Sequence, residues 1–213
     1  MTKDAQETRI KRGHMTLMKH RDTALYSGVM LMGSSEVADN VPTAYTDGVN
    51  KKYGRKFLES IADESKVRGL ILHENLHVAL KQIAHGRSMF KDNPKLANLA
   101  ADFVVNDVIV NITATLPNSR ERLVELPDGG FYDPMFHDWS MRQVFNYLKK
   151  NCKDKNSEKD GEVEVNGKTY DLSNGDEHDF PTEGDTKDIN DKVDRALREG
   201  GMLRVAWVGI CRV

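Results

Sequence analysis

The stretch LILHENLHVAL, residues 70–80, places two histidines four residues apart with a glutamate directly after the first. Apolar residues recur around it at helical spacing over about residues 63–84, too long a stretch for a strand. The sequence therefore predicts a largely buried helix that is capped by Gly86. Residues four apart lie on one face of a helix, so His73 and His77 can turn their imidazoles onto one ion.

This His-Glu-x-x-His pattern is typical of a catalytic zinc site. Neutral imidazoles of His73 and His77 would hold Zn²⁺, with a water left in the open position for Glu74 to deprotonate. A chance match is rare in a chain with only 7 histidines. The alternative is a pair of hydrogen-bonded core histidines, which we disfavour because burying such polar groups in an apolar helix is costly.

A catalytic zinc needs a third protein ligand. His85 fails on geometry, because on a continuous helix it lies about 12 Å beyond His77 and no glycine bends the chain back. Asp102 is better placed amid apolar neighbours on a second long helix, predicted over about residues 94–113. Asn106, one turn later, can support a ligand. Asp102 itself is either a zinc ligand or a hydrogen-bond partner for the outer nitrogen of a ligand histidine.

Composition excludes several other classes of protein. A chain of 213 residues suits one globular domain with at most an appended piece. With 31 basic and 33 acidic residues, it has no electrostatic footprint for nucleic acid or an anionic membrane. The charged start is not a secretory signal, and no apolar run approaches the length of a membrane span.

The two cysteines, Cys152 and Cys211, lie far apart and outside any CxxC pair. The sequence therefore predicts neither a disulfide framework nor a cysteine zinc site. A reducing cytoplasm is the location that fits this usage best.

Before the histidine motif, the sequence predicts an amphipathic opening helix over residues 5–25 and a short helix over 55–61. Between them, residues 26–54 predict two or three short strands, the last pair joined at the Asp47-Gly48 turn. Such a strand edge can pair with an extended substrate.

After the second long helix, Ser140 and Gln143 form a capping-box pattern that opens a helix through about Lys150. The chain then turns polar, which predicts an exposed arm, although EVEVNGKTYDL inside it is a strong hairpin signal. A last helix is expected over residues 189–199, ending at the glycine pair 200–201.

Four segments together carry a family resemblance. They are TAYTDG at 43–48, YGRKFL at 53–58, LILHENLHVAL at 70–80 and NLAADFVVND at 98–107. The combination resembles the metallopeptidase domain of bacteria and their phages that commonly precedes a von Willebrand factor A-like domain. The resemblance covers roughly residues 10–150 and continues more faintly through DEHDF at 176–180 and ALREGG at 196–201.

The resemblance implies an α+β, zincin-like fold and zinc-dependent peptide hydrolysis. A small mixed sheet would pack on the His-Glu-x-x-His helix and on a second, ligand-bearing helix, with a polar C-terminal arm beyond. His73 and His77 match the zinc histidines of the family, and Glu74 matches its catalytic glutamate. Asp102 matches the aspartate of its A-x-D-x-x-x-N segment.

Two departures from the family pattern stand out. Many members carry a further histidine where this chain has Lys81 and Gln82, and we expect the adhesion-type second domain to be missing. The chain ends in the apolar run MLRVAWVGICRV. We therefore expect a metallopeptidase domain over 1–150, followed over 151–213 by an arm with a hairpin and a helix, a truncated remnant of a longer chain.

Three hypotheses from different classes remain. The leading one is a zinc metallopeptidase that acts on a peptide or protein substrate. The second is a binding module that keeps the fold and acts through a protein partner. A purely structural zinc site is the weakest, because closed structural sites prefer four Cys or His ligands. His137 is a candidate transition-state donor and His178 a candidate metal or regulatory residue, although solvated loops are the default interpretation of both.

Overall fold

The structure is a computed structural model that describes residues 3–151, 162–171 and 185–210. This part of the chain is α+β, with helices around a small mixed sheet. The helices are α1 Lys3–Lys19, α2 Ser27–Met30, α3 Arg55–Ser60, α4 Glu64–Ala79, α5 Gln82–His85, α6 Arg87–Asp92, α7 Pro94–Asn111, α8 Met141–Asn151 and α9 Asp185–Ile210. The strands are β1 Ser35–Ala38, β2 Ala44–Thr46, β3 Lys51–Gly54, β4 Glu162–Val165 and β5 Lys168–Asp171. None of the described helices is both long and apolar enough to cross a membrane.

Helix α4 lies at the centre of the molecule. Every residue from Val67 to Ala79 is buried, as expected for a helix that is covered on all sides. Its apolar side chains join a core cluster with Tyr53 of β3 and Leu123 of the loop after α7. The polar residues of the histidine motif therefore sit inside the protein, where each needs a specific partner.

The sheet has the strand order β1-β3-β2, with β1 parallel and β2 antiparallel to β3. Strands β2 and β3 form the predicted hairpin. At its turn, Asp47 accepts hydrogen bonds from the backbone N–H groups of Val49 and Asn50, and Gly48 has a φ of 92°. Residues 27–30 form a short helix, although a strand was expected there from the Met- and Val-rich sequence. Strand propensity is weak evidence, because it depends on the surroundings of the segment.

Helix α7 forms over almost the predicted range. Pro94 occupies its first turn, and the Asn93 side chain accepts a hydrogen bond from Leu96 N. It packs against α4 and α8. Ser140 and Gln143 form the predicted capping box at the start of α8. The two long helices that carry the candidate ligands thus lie side by side.

A close approach between α4 and the loop after α7 depends on one glycine. A Cβ at position 69 would overlap the carbonyl oxygen of Glu125. Glu125 N also donates to Ser65 O at 3.1 Å, so this segment lies directly along the helix. The same loop continues to Phe131 and forms one wall of the cavity described below.

The prediction of one continuous helix over 63–84 is wrong. Helix α4 ends at Ala79, Lys81 takes a left-handed conformation with a φ of 54°, and α5 begins at Gln82. A glycine normally marks such a reversal, and this break carries none. His85 was excluded as a ligand on the geometry of a continuous helix, which the structure does not have. Its side chain is nevertheless exposed and lies outside the histidine cluster.

The C-terminal elements also differ from expectation. The hairpin β4–β5 forms as predicted, but it is only partly exposed, because Val163 and Val165 are buried in a core cluster with α7 and α8 while Glu164 and residues 166–169 are exposed. Helix α9 continues past the glycine pair at which it was expected to end. A Cβ at Gly200 would overlap the carbonyl oxygen of Leu25, so this glycine serves close helix packing and not termination.

Candidate metal centre

Three side chains from the two long helices converge on one point. His73 and His77 lie one turn apart on α4, and their Nε2 atoms are 2.9 Å from each other. Asp102 of α7 places its Oδ1 3.6 Å from His73 Nε2 and 3.4 Å from His77 Nε2. All three residues are buried. The structure therefore brings together the three predicted ligands.

The spacing of these atoms fits a single ion. In a tetrahedral zinc site with bonds of about 2.0–2.2 Å, neighbouring ligand atoms lie about 3.3 Å apart. The three separations here fall on either side of that value, between 2.9 and 3.6 Å. Two imidazoles and a carboxylate form a donor set with one position left for water or substrate.

The ring of His73 is held by an amide. Its Nδ1 lies 2.8 Å from Oδ1 of Asn106, and Asn106 Nδ2 donates to the backbone carbonyl of Phe131 at 2.8 Å. A carbonyl can only accept, so the amide oxygen faces the histidine and Nδ1 carries the proton. The Nε2 lone pair of His73 then points to the convergence point. Asn106 thus takes the supporting position expected for it.

His77 is held in the same way by Gln82, which the sequence did not reveal as a contact. Gln82 Oε1 lies 2.6 Å from His77 Nδ1, and its Nε2 donates to Ala101 O at 3.4 Å. Both outer nitrogens are therefore occupied by amides. Asp102 faces the inner Nε2 atoms, on the side away from these amides.

The inner side of the site therefore consists of electron-pair donors that could bind a cation. Two Nε2 lone pairs and the Asp102 carboxylate meet in the interior, and Asp102 Oδ1 accepts no hydrogen bond from the described residues. Such a cluster of acceptors is unfavourable in a low-dielectric interior unless a cation or a proton lies between them. A divalent metal ion satisfies all three at once.

Glu74 is fully buried on the adjoining face of α4. Its charge acts on two buried residues of β3, Lys51 and Tyr53. Burial lowers the pKa of Lys51 to about 8, while the negative charges of Asp47 and Glu74 oppose that fall. The pKa of Tyr53 is raised well above its ordinary value, first by burial and then by Glu74. Glu74 therefore has Lys51 as a buried countercharge.

A cavity of about 480 Å³ opens onto the candidate ligands. His73, Asp102 and Asn106 belong to its lining, between Pro42 and Thr43 on one side and residues 127–131 on the other. Glu74 is not among the residues that line it. The cavity gives a solvent molecule or a substrate group access to the point where the candidate ligands converge.

His137 lies elsewhere, against α7. Its Nδ1 is 3.0 Å from Asp107 Oδ2, and the backbone N–H of Asp138 donates to the same oxygen at 3.3 Å. The hydrogen bond and charge of Asp107 raise the pKa of His137, with a smaller contribution from Asp138. These contacts attach a loop to the helix and leave His137 outside the cavity lining. His178 lies outside the described residues.

Comparison with known proteins adds one match. A family model described as "Putative metallopeptidase domain" matches residues 6–205. The chain belongs to this family. The metallopeptidase domain thus covers nearly the whole sequence, and its candidate metal centre lies at the core of the matched range. No curated protein and no solved structure matches the chain.

Membership of the family and the buried cluster agree with each other. A metallopeptidase domain acts as a hydrolase on peptide substrates, and the described part of this one contains a group of residues able to hold a metal ion. The resemblance to a metallopeptidase domain drawn from the sequence motifs is therefore confirmed, whereas its link to a von Willebrand factor A-like domain stays a prediction.

Proposed function

We propose that this metallopeptidase domain is a zincin-like zinc peptidase in which His73, His77 and Asp102 hold the ion. The convergence of two Nε2 lone pairs and a carboxylate oxygen, each within 3.6 Å of the others, carries this proposal. Imidazole and carboxylate ligands with an open position are the donor set of catalytic zinc. Zinc held there supplies a Lewis acid that polarises a carbonyl and makes water acidic enough to lose its proton near neutral pH.

Glu74 is the general base in this proposal. Its place beside His73 on α4 lets the carboxylate approach the ion position without occupying a ligand position. It takes the proton of the attacking water and passes that proton to the leaving amine. Lys51 is the buried cation with which this carboxylate interacts, since the charges of Asp47 and Glu74 oppose the burial-induced fall of the Lys51 pKa.

The substrate chain would enter the cavity beside the start of β2, where Pro42 and Thr43 belong to the lining. Gly54 N donates to Thr43 O, and Asp47 N donates to Asn50 O, which fixes the hydrogen-bonded pairs of the hairpin. Because such pairs alternate, the backbone groups of Ala44 and Thr46 point away from β3, but both residues are buried. An extended peptide would therefore reach the cavity at Pro42 and Thr43, which belong to its lining.

A second candidate function is a binding module that holds the ion and engages a protein partner without cleaving it. The observation that favours it is the complete burial of Glu74, away from the cavity lining. A peptide library distinguishes the two functions, because only the peptidase turns substrate over.

The test of the metal site is elemental analysis of the purified protein. We expect about one zinc per chain, lost in His73→Ala and in His77→Ala. His85→Ala is the matched control, since this exposed histidine follows on the next helix and should leave the zinc content unchanged. Equal zinc in all four proteins would place the metal elsewhere.

A further inference from the structure

The backbone break after α4 changes what the chain can place beside His77. On a continuous helix, residue 82 would lie about 7.5 Å along the axis and about 140° around it from His77. Instead, Lys81 has a φ of 54° and α5 begins at Gln82. Non-glycine residues rarely adopt this left-handed region. The break allows the Gln82 side chain to meet the His77 ring, which a straight helix would carry away from it.

The carboxamide of Gln82 is engaged at both ends. Its oxygen accepts from His77 Nδ1 at 2.6 Å, and its nitrogen donates to Ala101 O at 3.4 Å. Ala101 directly precedes Asp102 on α7. One buried amide therefore joins the helix that carries two candidate ligands to the helix that carries the third.

We propose that Gln82 is a positioning residue of the metal centre, which fixes the His77 ring with Nδ1 protonated and Nε2 facing the ion. This inference rests on the proposed metal site. A metal-bound histidine needs a partner on its other nitrogen, and that partner sets the tautomer and the ring orientation. Gln82 is the residue of the described chain that contacts His77 Nδ1 in this way.

The choice of an amide has an electrostatic reason. A carboxylate would also accept from Nδ1, but the interior already contains the charges of Asp102 and Glu74. A third buried negative charge would have to be compensated or protonated. The amide accepts without adding charge. Asn106 does the same for His73, so both imidazoles are oriented by neutral groups.

The first experiment compares zinc affinity, measured by competition with a chelator, in Gln82→Leu and Gln82→Glu. Removing the acceptor in Gln82→Leu should weaken zinc binding by about 10- to 100-fold. Gln82→Glu keeps an acceptor for Nδ1 but loses the donor to Ala101 O and adds a buried charge, so it should weaken zinc binding less than Gln82→Leu does. Gln6→Leu is the matched control, because it removes an equally buried glutamine from α1. It should leave zinc affinity unchanged.

The second experiment needs neither zinc nor a variant. Nitrogen-15 NMR of the metal-free unmodified protein should show neutral His77 protonated at Nδ1. A ring protonated at Nε2 instead would overturn the proposal, as would a folded Gln82→Leu that binds zinc as tightly as the unmodified chain. If the unmodified chain binds no zinc, the proposed metal site fails, and the tautomer of His77 separately decides whether Gln82 orients the ring.

Discussion

Replacing Glu74 with glutamine separates the chemistry of the site from its architecture. The side chain is fully buried, so a change of similar volume avoids a cavity and keeps hydrogen-bonding atoms in place. Glu74 is not one of the three converging groups, so zinc content should survive. General base catalysis supplies at least about 100-fold in rate. We therefore expect kcat/KM for peptide cleavage to fall by at least about 100-fold, or about 2.7 kcal/mol of transition-state stabilisation.

The assay is a broad peptide library followed by kinetics on the best substrate, with zinc measured on each protein. Glu64→Gln is the matched control, since it makes the same change at an exposed glutamate in the first turn of the same helix. It should cleave at the unmodified rate. A Glu74→Gln protein that cleaves as fast as the unmodified chain would refute the general-base role.

The same variant has a second readout that is independent of catalysis. Glu74 is one of the charges that oppose the burial-induced fall of the Lys51 pKa, which is about 8. Removing that charge should lower the Lys51 pKa further, and NMR titration of the lysine side chain measures the change. An unchanged Lys51 pKa would mean that the two groups do not interact, and the buried charge of Glu74 would need another partner. A library that the unmodified, zinc-loaded protein leaves uncut would favour the binding module.

Three other perturbations test separate parts of the structure. Asp102→Asn should weaken zinc affinity by about 10-fold or more, and an affinity that does not change would exclude ligation. In a metal-bound structure of the unmodified chain, an Asp102 carboxylate oxygen should lie about 2.0–2.2 Å from zinc. Gly69→Ala should lower the free energy of unfolding by about 1–3 kcal/mol, measured with denaturant, because its methyl group displaces the loop at Glu125; an unchanged stability would mean that the loop moves freely. Asp107 raises the pKa of His137 above its ordinary 6.5, so the stabilisation from this contact is complete below about pH 6.5 and lost as pH rises through the folded pKa. The difference in free energy of unfolding between the unmodified chain and His137→Gln should therefore shrink over that pH range. A difference independent of pH would contradict the ion pair.

The candidate ligands could be predicted because they depend on local rules. Four-residue spacing on a helix sets His73 and His77 on one face, whatever the rest of the fold does. Asp102 could be selected because a carboxylate amid apolar helix residues needs a partner. The DG turn of the hairpin and the capping box at Ser140 are local in the same sense, and both form as expected.

The elements that were missed depend on tertiary contacts. The reversal at Lys81 uses a left-handed lysine, and the contacts that hold it come from the fold: Lys81 Nζ binds Asp194 of α9 at 2.6 Å, and Gln82 binds two different helices. Spacing rules apply only within one regular element, so a contact five residues away across a break gives no periodic signal. The end of α9 was misplaced for a related reason. Gly200 lies inside that helix, where it permits close packing against Leu25 and does not end the helix.

Charge distribution explains how one interior can contain both a cation site and a buried base. In the proposed site, one carboxylate and two neutral imidazoles would leave a bound divalent ion with a net positive charge and thus electrophilic. Neutral amides on both outer nitrogens preserve that charge, where carboxylates would reduce it. Glu74, next to His73 on α4, is a second buried carboxyl group that would compete as a ligand for the ion if it interacted with no other charge. Lys51 is fixed on the sheet side by hydrogen bonds to Val29 O and Met32 O, and the charges of Asp47 and Glu74 oppose the burial-induced fall of its pKa. In the proposed site, His73, His77 and Asp102 would leave a fourth metal position for water or substrate, which hydrolysis requires.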